Sequence, residues 1–182
     1  MLNHDRIIQL GIWCAVFAIT SGSAMAQAPS GADEISCRRF AQAFYDWYAP
    51  FTQKRLNGPA WDVALQHNAD AFAPDLLQAL KLDTEAQAQA NGEIVGIDFD
   101  PFVGSQDPAG RYEARRVTLQ ENRCSVEVWR ASPNDTAAKS EKPEALAELI
   151  RDKGHWRFSN FRYPDVNANL VSRLGATGQG SA

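Results

Sequence analysis

Aromatic residues recur at helical spacing in the segment that begins near residue 36. They stand at i, i+4, i+7, i+8 and i+11, which is one stripe of an α-helix: Phe40, Phe44, Trp47, Tyr48 and Phe51. The stripe predicts packing against a core. Asp33 or Ser36 can cap the start of this helix, and Pro50 with the polar run behind it predicts its end. Tyr45 and Asp46 lie off the stripe, so we expect them to line a cavity or to face solvent.

Two further helical stretches follow before the pattern changes. One is short and covers residues 61–65. The next covers residues 72–80, with Pro74 in its first turn, where proline is tolerated. Residues 84–91 are rich in Ala and Gln and predict an exposed helix or a loose connection.

Beyond Gly92 the apolar residues alternate, which indicates strands. Residues 112–119 and 124–130 are predicted strands joined by a turn at residues 121–123, and residues 131–143 form a polar loop. Residues 145–151 have the composition of a helix, but the Asp152-Lys153-Gly154 turn and the alternation over residues 155–163 predict a strand there. Pro164 ends the sheet, and Asp165 is expected to cap a last short helix around Leu170. Helices followed by antiparallel strands predict an α+β domain, with a concave pocket between the layers.

The richest polar segment is Asp98-Phe-Asp-Pro-Phe-Val-Gly-Ser-Gln-Asp107, named the acidic motif below. Pro101 fixes φ and Gly104 permits positive φ, so the motif is a shaped loop. In an extended segment Asp98 and Asp100 would share a face. We expect a binding site here, formed by Asp98, Asp100, Gln106 and Asp107 with Tyr45 and Trp47 of the first helix. Two alternatives are an ad hoc calcium site and acids that only accept turn and cap hydrogen bonds.

The N-terminal segment has the pattern of an export signal. Arg6 precedes an apolar run over residues 7–19, and Ala24-x-Ala26 supplies a cleavage pattern. We expect residues 1–26 to be a cleavable signal peptide, 27–33 a disordered leader, 34–174 one domain and 175–182 a disordered tail. An uncleaved membrane anchor is the alternative at the N-terminus. Cleavage leaves about 155 of the 182 residues, without a second stretch able to cross a membrane, which suits one domain.

The cysteines indicate the cellular compartment, and the net charge limits the class of partner. Cys37 and Cys124 remain after signal removal, and an oxidising compartment favours a disulfide between them, with two buried thiols as the alternative. The formal net charge of −4 argues against nucleic acid as the partner.

The sequence contains no common catalytic or metal-binding motif. His67 and His155 are far apart and have no ligand-like neighbours, so no metal and no cofactor are expected. No Gly-x-Ser-x-Gly elbow or phosphate-binding glycine loop occurs. An acid–base pair of Asp98 or Asp100 with Tyr45 is the catalytic alternative.

Several arginines lie close to the acidic motif in the sequence. They either pair with Asp98, Asp100 or Asp107, or form a cluster for an anionic ligand: Arg111, Arg115, Arg116, Arg123 and Arg130.

Three strings together resemble the DUF3828 family of exported bacterial proteins. They are Phe44-Tyr-x-Trp-Tyr48, Asp98-x-Asp-Pro-Phe-x-x-x-Gln-Asp107 and Gly154-x-Trp-Arg-Phe-x-Asn-x-x-Tyr-Pro164. The resemblance implies an NTF2-like cone, in which helices pack on a curved antiparallel sheet, and a place in the bacterial envelope. It also implies similarity in architecture to immunity proteins that neutralise toxins, and it supplies no reaction.

We therefore expect a periplasmic, secreted NTF2-like binding or accessory protein without catalysis. Its partner is a small ligand or an envelope protein, and a homodimer through the open face of the sheet is an alternative. Two other functions are an immunity-type inhibitor of an envelope-targeted toxin, and a small hydrolase or isomerase that uses the cavity acids.

Overall fold

The structure is a computed structural model that describes residues 31–90, 95–131 and 141–177. The predicted signal peptide, residues 27–30 of the leader, residues 178–182 of the tail and most of the polar loop after Ala131 lie outside the described residues. The predicted disorder is wrong at residues 31–33 and 175–177, which are helical. Residues 31–33 belong to the first helix because Asp33 in its first turn forms an ion pair with Arg151 of the sheet.

The predicted α+β class is confirmed. Within the described residues, four helices, one 3-10 turn and five strands follow one another: α1 (Gly31–Thr52), α2 (Ala60–His67), the 3-10 turn (Ala69–Ala71), α3 (Pro74–Gln89), β1 (Tyr112–Gln120), β2 (Arg123–Arg130), β3 (Ala145–Asp152), β4 (His155–Tyr163), β5 (Ala168–Asn169) and α4 (Leu170–Thr177).

The first helix buries a stripe that is rotated from the predicted one. Tyr45, predicted to lie off the core, has no exposed surface, whereas Phe40, Trp47 and Phe51 are only partly buried. Phe44 and Tyr48 are buried as predicted. Helical spacing does not decide which of several neighbouring aromatic residues faces the core. Tyr45 and Tyr48 can both be buried here because acceptors inside the protein satisfy their hydroxyls.

The helices follow their sequence signals, with one difference. Pro74 opens α3, and the Ala- and Gln-rich segment continues that helix to Gln89. Pro50 lies in the last turn of α1, which ends at Thr52, where the polar run after Phe51 begins, as predicted. Asp165 does not cap α4. The Asn169 side chain does, because its Oδ1 accepts a hydrogen bond from Ser172 N at 2.9 Å.

The five strands form one antiparallel sheet in sequence order. The helix-prone segment at residues 145–151 is strand β3, as predicted from the turn behind it. Lys153 and Gly154 both have positive φ, at 49° and 84°, which is the conformation of a tight hairpin turn. Pairing with both β2 and β4 overrides the helical propensity of Ala, Glu and Leu.

Aromatic rings fill the space between the helices and the sheet. Phe44 lies at the centre, with its ring centroid 4.8 Å from that of Phe158 and 5.3 Å from that of Phe102. The largest fully buried side chains include Tyr45, Tyr48, Tyr112, Phe72, Phe102, Phe158 and Phe161. A packed core therefore occupies the centre of the space between the two layers. What remains of the predicted concave pocket is a depression of about 540 Å³ between α1, the 3-10 turn and β4.

A disulfide joins α1 to the sheet. Cys37 and Cys124 are both buried and form the predicted bond, with their Cα atoms 6.7 Å apart and a sequence separation of 87. The bond fixes the start of α1 against β2. Together with the Asp33–Arg151 ion pair, it attaches the N-terminal half of α1 to one face of the sheet.

Gln42 of α1 covers part of the exposed edge of β1. Its Nε2 donates to Tyr112 O at 3.0 Å, and its Oε1 accepts from Ala114 N at 2.8 Å. One carboxamide thus supplies the two hydrogen bonds that a neighbouring strand would form. Edge strands present unpaired backbone groups that recruit other chains, so this contact protects the edge.

Among the described helices, none has the length and apolar character that a bilayer crossing requires.

Removal of the disulfide should lower stability by a large amount. Because the bond closes a loop with a sequence separation of 87, the chain-entropy relation gives about 4–5 kcal/mol of unfolding free energy for the double variant Cys37→Ala/Cys124→Ala. Urea denaturation with and without reductant measures the loss. The double variant should not respond to reductant, and an unchanged wild-type midpoint in reductant would refute a stabilising bond.

Gln42→Ala should cost about 1–3 kcal/mol of unfolding free energy, because it leaves two backbone groups of β1 without partners. Gln66→Ala, at an exposed position of α2, is the matched control and should change stability little. Thermal and urea denaturation compare the two variants. Equal stability of both would show that the edge contact contributes nothing.

Candidate functional site

The centre of the acidic motif is a tight turn and not an extended segment. Asp100 N donates to Ser105 O at 2.9 Å, and Gly104 N donates to Asp100 O at 2.8 Å. Gly104 has a φ of +69°, and a Cβ there would collide with the ring of Tyr163. The turn therefore needs glycine at this position for its conformation and for the close approach.

Three tyrosines hold this turn from different elements. Tyr45 of α1 donates to Phe102 O at 2.7 Å, and Tyr163 of β4 donates to Pro101 O at 2.7 Å. Tyr48 of α1 donates to the carboxylate Oδ2 of Asp100 at 2.5 Å. Burial raises the pKa of each of these tyrosines above its ordinary value, with the charge of Asp100 as the second cause. All three therefore act as neutral hydrogen-bond donors.

Asp100 points into the core and not toward solvent. It is 4% exposed, and its Oδ1 accepts a hydrogen bond from Phe102 N at 2.9 Å. Burial raises the pKa of Asp100 to about 6, against the lowering effect of the hydrogen bonds from Tyr48 and from Phe102 N. Both carboxylate oxygens are thus occupied within the protein.

The predicted site residues of the motif differ in burial. Asp98, Gln106 and Asp107 are exposed, whereas Asp100 is buried, and Gln106 Nε2 donates to Asp98 Oδ2 at 3.0 Å. Asp98, Asp100 and Gln106 line one depression of about 380 Å³. The expectation that Asp98 and Asp100 share a face stays a prediction. Trp47 is half-buried, and its ring centroid lies 5.3 Å from that of Phe51.

This geometry limits the chemistry of the acidic motif. The four oxygen donors proposed for calcium do not converge, since Asp100 is buried and Asp98 and Asp107 face outward. Among residues 31–90, 95–131 and 141–177, no three His, Cys, Asp or Glu side chains are grouped to hold a metal ion. Tyr45 and Asp100 each have their partners inside the core. The turn-and-cap role, one of the alternatives from the sequence, accounts for the contacts of Asp100. A binding role for Asp98, Gln106, Asp107 and Trp47 stays a prediction.

The expected pairing of arginines with the acidic motif is wrong for the carboxylates. Arg115 pairs with Glu113, and Arg116 pairs with Glu127. Arg130 pairs with Glu144 and contacts the motif only through the backbone oxygen of Asp107, at 2.8 Å.

The outer face of the sheet, opposite α1, carries a second candidate site. A depression of about 350 Å³ lies over the four long strands. Among its lining side chains are Arg116, Thr118, Arg123, Glu127, Glu148 and Arg162. We name this surface the arginine face.

Two β-bulges shape the arginine face. Ala114 is opposite Val128 and Val117 is opposite Val126, so Arg115 and Arg116 both lie across from Glu127. On the other side, Ser159 is the extra residue of β4. A bulge re-aims side chains and bends its strand. Here it places two consecutive arginines on the exposed side of β1.

The strand register arranges the outer side chains in rows. One row runs Arg116, Glu127, Leu146 and Arg162 across β1 to β4, with arginine at both ends. Arg116 forms an ion pair with Glu127, and Arg162 Nε lies 2.7 Å from Glu148 Oε1 in the adjacent row. The charged side chains are therefore held in place by one another.

Each glutamate of the arginine face is held from a second side as well. Trp129 Nε1 donates to Glu127 Oε2 at 3.2 Å, and Asn160 Nδ2 donates to Glu148 Oε2 at 3.0 Å. Arg115 lies over the ring of Trp129, 4.9 Å from its centroid. The result is a polar surface with fixed geometry.

The sequence pattern does not single out Glu148 and Arg162, and it predicts Arg116 and Arg123 only as partners of the acidic motif or as part of an anion-binding cluster. Alternation along each strand places these residues outward, but only the pairing register brings them together. A polar outer face also has the same alternation as any solvated strand, so no stronger signal was present.

The charge of Asp100 should make stability depend on pH. The folded-state pKa of about 6 lies above the ordinary 3.8, so the folded protein holds this proton more tightly than the unfolded chain. The contribution of Asp100 to the unfolding free energy is then complete below pH 3.8 and is lost as the pH rises through about 6. Relative to Asp100→Asn, the unfolding free energy of the wild type should fall by up to about 3 kcal/mol between pH 4 and pH 7.

Urea denaturation across this pH range measures the difference. Asn can still accept from Phe102 N and donate to the oxygen of Tyr48, so the variant keeps the network without the charge. Asp100→Ala, which leaves both donors unpaired, should lose roughly 2–5 kcal/mol at any pH. Parallel pH curves for the wild type and Asp100→Asn would contradict a titrating buried carboxyl.

Comparisons with known proteins place the chain in no family. No family model matches it, and no curated protein matches it. One solved structure is similar: a chain of the type VI native effector-immunity complex Tae3-Tai3 from Ralstonia pickettii, at a TM-score of 0.49 and 18% identity, over 71% of this chain and 95% of that chain. A likeness at this level decides neither the fold family nor the activity.

Proposed function

We propose that this chain is an exported accessory protein without catalysis that binds another protein through the arginine face. The observation that carries the proposal is the contrast between the two sides of the sheet. On the inner side, aromatic rings fill the centre and leave a depression of about 540 Å³ between α1, the 3-10 turn and β4. The depression of about 350 Å³ on the outer side is instead lined by polar and charged side chains that hold one another in place. A small ligand would need an enclosed pocket, and a protein needs a surface of this open kind.

Export is supported by two independent features. The apolar run over residues 7–19 with the Ala24-x-Ala26 pattern is typical of a signal peptide. The Cys37–Cys124 disulfide is typical of proteins that fold in an oxidising compartment such as the periplasm. An NTF2-like cone and membership of DUF3828 are part of this proposal. They are supported by helices packed on an antiparallel sheet and by the three sequence strings.

The catalytic alternative is the weaker one for a geometric reason. A general acid or base must reach the substrate, within hydrogen-bond distance or through one water. Tyr45 is fully buried and bonded to Phe102 O, and Asp100 has both oxygens occupied. The pair therefore supports the turn. Asp100 lines a depression of about 380 Å³, but both of its carboxylate oxygens already accept hydrogen bonds, from Tyr48 and from Phe102 N.

Inhibition of an envelope-targeted toxin is a specific form of the proposed binding. An inhibitor needs a preorganised surface that loses little entropy on association. Hydrogen bonds and ion pairs to Glu127 and Glu148 preorganise the arginine face in this way. Whether the partner is an enzyme that loses its activity in the complex separates an inhibitor from another accessory protein.

Site-specific photocrosslinking tests the proposal in the cell envelope. A photoreactive amino acid at Thr118 should give one crosslinked protein, and the same group at Leu82, which is 57% exposed on α3, should not. The crosslinked protein is then purified and titrated against the wild type, Ser125→Trp and the matched control Ser172→Trp. A ring at Ser125 blocks the face, so the dissociation constant should rise at least about tenfold, while Ser172→Trp should leave it unchanged.

Two outcomes would overturn the proposal. One is equal crosslinking from Thr118 and Leu82. The other is a dissociation constant that Ser125→Trp leaves unchanged while the melting temperature shows a folded variant. If the purified partner is a hydrolase, loss of its activity at one-to-one stoichiometry would identify the chain as an inhibitor.

A further inference from the structure

We propose that the arginine face recognises a protein segment that presents carboxylate side chains. This inference rests on the proposed function and names the chemistry of its partner. Five charged side chains line the depression: the cations Arg116, Arg123 and Arg162 and the anions Glu127 and Glu148.

The cations of this surface stand above the anions. The side chains of Arg116 and Arg162 are 78% and 52% exposed, whereas those of Glu127 and Glu148 are 15% and 31% exposed. An approaching partner therefore meets guanidinium groups before it meets carboxylates. The surface is cationic at contact distance, although ion pairs lie beneath it.

Arg123 supplies the excess charge. It is exposed at the start of β2, and among the described residues it has no acidic partner. With the two glutamates matched to Arg116 and Arg162, one positive charge of the depression remains uncompensated. An exposed cation without an ion-pair partner costs little free energy in water. Arg123 therefore stays available for an anionic group of a partner that enters the depression.

The paired arginines also retain hydrogen-bonding capacity. Arg116 directs Nε and Nη2 at the same oxygen of Glu127, and Arg162 uses Nε toward Glu148. A guanidinium has five N–H donors in a planar fork, so each can still bind an incoming carboxylate. Thr118 and Ser125 lie between the arginines and add hydroxyl groups for hydrogen bonding.

A second copy of this chain fits the surface less well. A two-fold dimer brings the same patch of both subunits together. The excess cation and the exposed guanidiniums would then face their own copies. A nucleic acid is also disfavoured, because Glu127 and Glu148 lie beneath the arginines and the chain carries a net charge of −4.

A defined peptide tests the chemistry without knowledge of the natural partner. The probe is a fluorescein-labelled peptide with Glu at alternate positions separated by Ser, and its matched control has Gln in place of Glu. Both are titrated against the protein with its disulfide intact, by fluorescence anisotropy. The Glu peptide should bind more tightly than the Gln peptide, and its dissociation constant should rise as salt increases from about 20 to 300 mM.

Charge variants of opposite sign make the test specific. Arg123→Gln should weaken binding of the Glu peptide about three- to fivefold, whereas Arg39→Gln at an exposed position of α1 should not change it. Glu127→Gln removes an internal competitor for Arg116 and should tighten binding about two- to fivefold. If these residues had only a structural role, Glu127→Gln would not tighten binding of the Glu peptide.

Equal affinity for the Glu and Gln peptides, or equal effects of Arg123→Gln and Arg39→Gln, would overturn the inference. Tighter binding of an oligothymidylate than of the Glu peptide, or concentration-dependent dimers that Arg123→Gln strengthens, would also overturn it in favour of nucleic acid or a second copy. Crosslinking from Thr118 reports occupancy of the face whatever the charge of the occupant. A failed peptide test with intact crosslinking therefore rejects the carboxylate chemistry and leaves the proposed function in place.

Discussion

Hydrogen bonds from three tyrosine hydroxyls to one turn connect the two layers of this protein. Tyr45 and Tyr48 come from α1 and Tyr163 from β4, and all three end on residues 100–102. A loop can enter a core only when its polar groups find partners there. The tyrosines supply those partners, so Phe102 can pack between Phe44 and Phe72 as a central core residue.

That arrangement explains why the acidic motif is a scaffold at its centre. Asp100 looks like a functional acid because it is buried and has a raised pKa. A raised pKa of a buried carboxyl is common in active sites, but it also occurs where the carboxylate only accepts structural hydrogen bonds. Its oxygens accept from Tyr48 and from Phe102 N, and both donors belong to the protein's own core.

The two faces of the sheet differ in what they carry. α1, the disulfide and the Asp33–Arg151 ion pair lie on one face, whereas the arginine face, the proposed binding surface, lies on the other. Two bulges shape that opposite face, and the strand register sets arginine at both ends of one row. Its ion pairs add little stability individually, since they are largely exposed. Their effect is to fix the positions of charges that a partner would meet.

Local sequence patterns are enough to predict the class of the fold and most of its elements. The spacing of apolar residues predicted the helices, alternation predicted the strands, and the Asp152-Lys153-Gly154 turn predicted β3 against its helical composition. Periodicity and turn chemistry are local properties, so they can be read along the chain. The Cys37–Cys124 disulfide could also be predicted from the sequence, because only these two cysteines follow the predicted signal peptide.

The tertiary structure determines which polar groups are buried and which side chains on the outer face of the sheet come into contact. Tyr45 is buried because Phe102 O lies within reach of its hydroxyl, a contact between residues 57 positions apart. Asp100 is buried while Asp98 is exposed, because Tyr48 of a helix distant in sequence supplies a hydrogen bond to the Asp100 carboxylate. Arg116, Glu127 and Arg162 share a row only through the register of four paired strands. Such contacts join residues that are distant in sequence, and a local pattern carries no information about them.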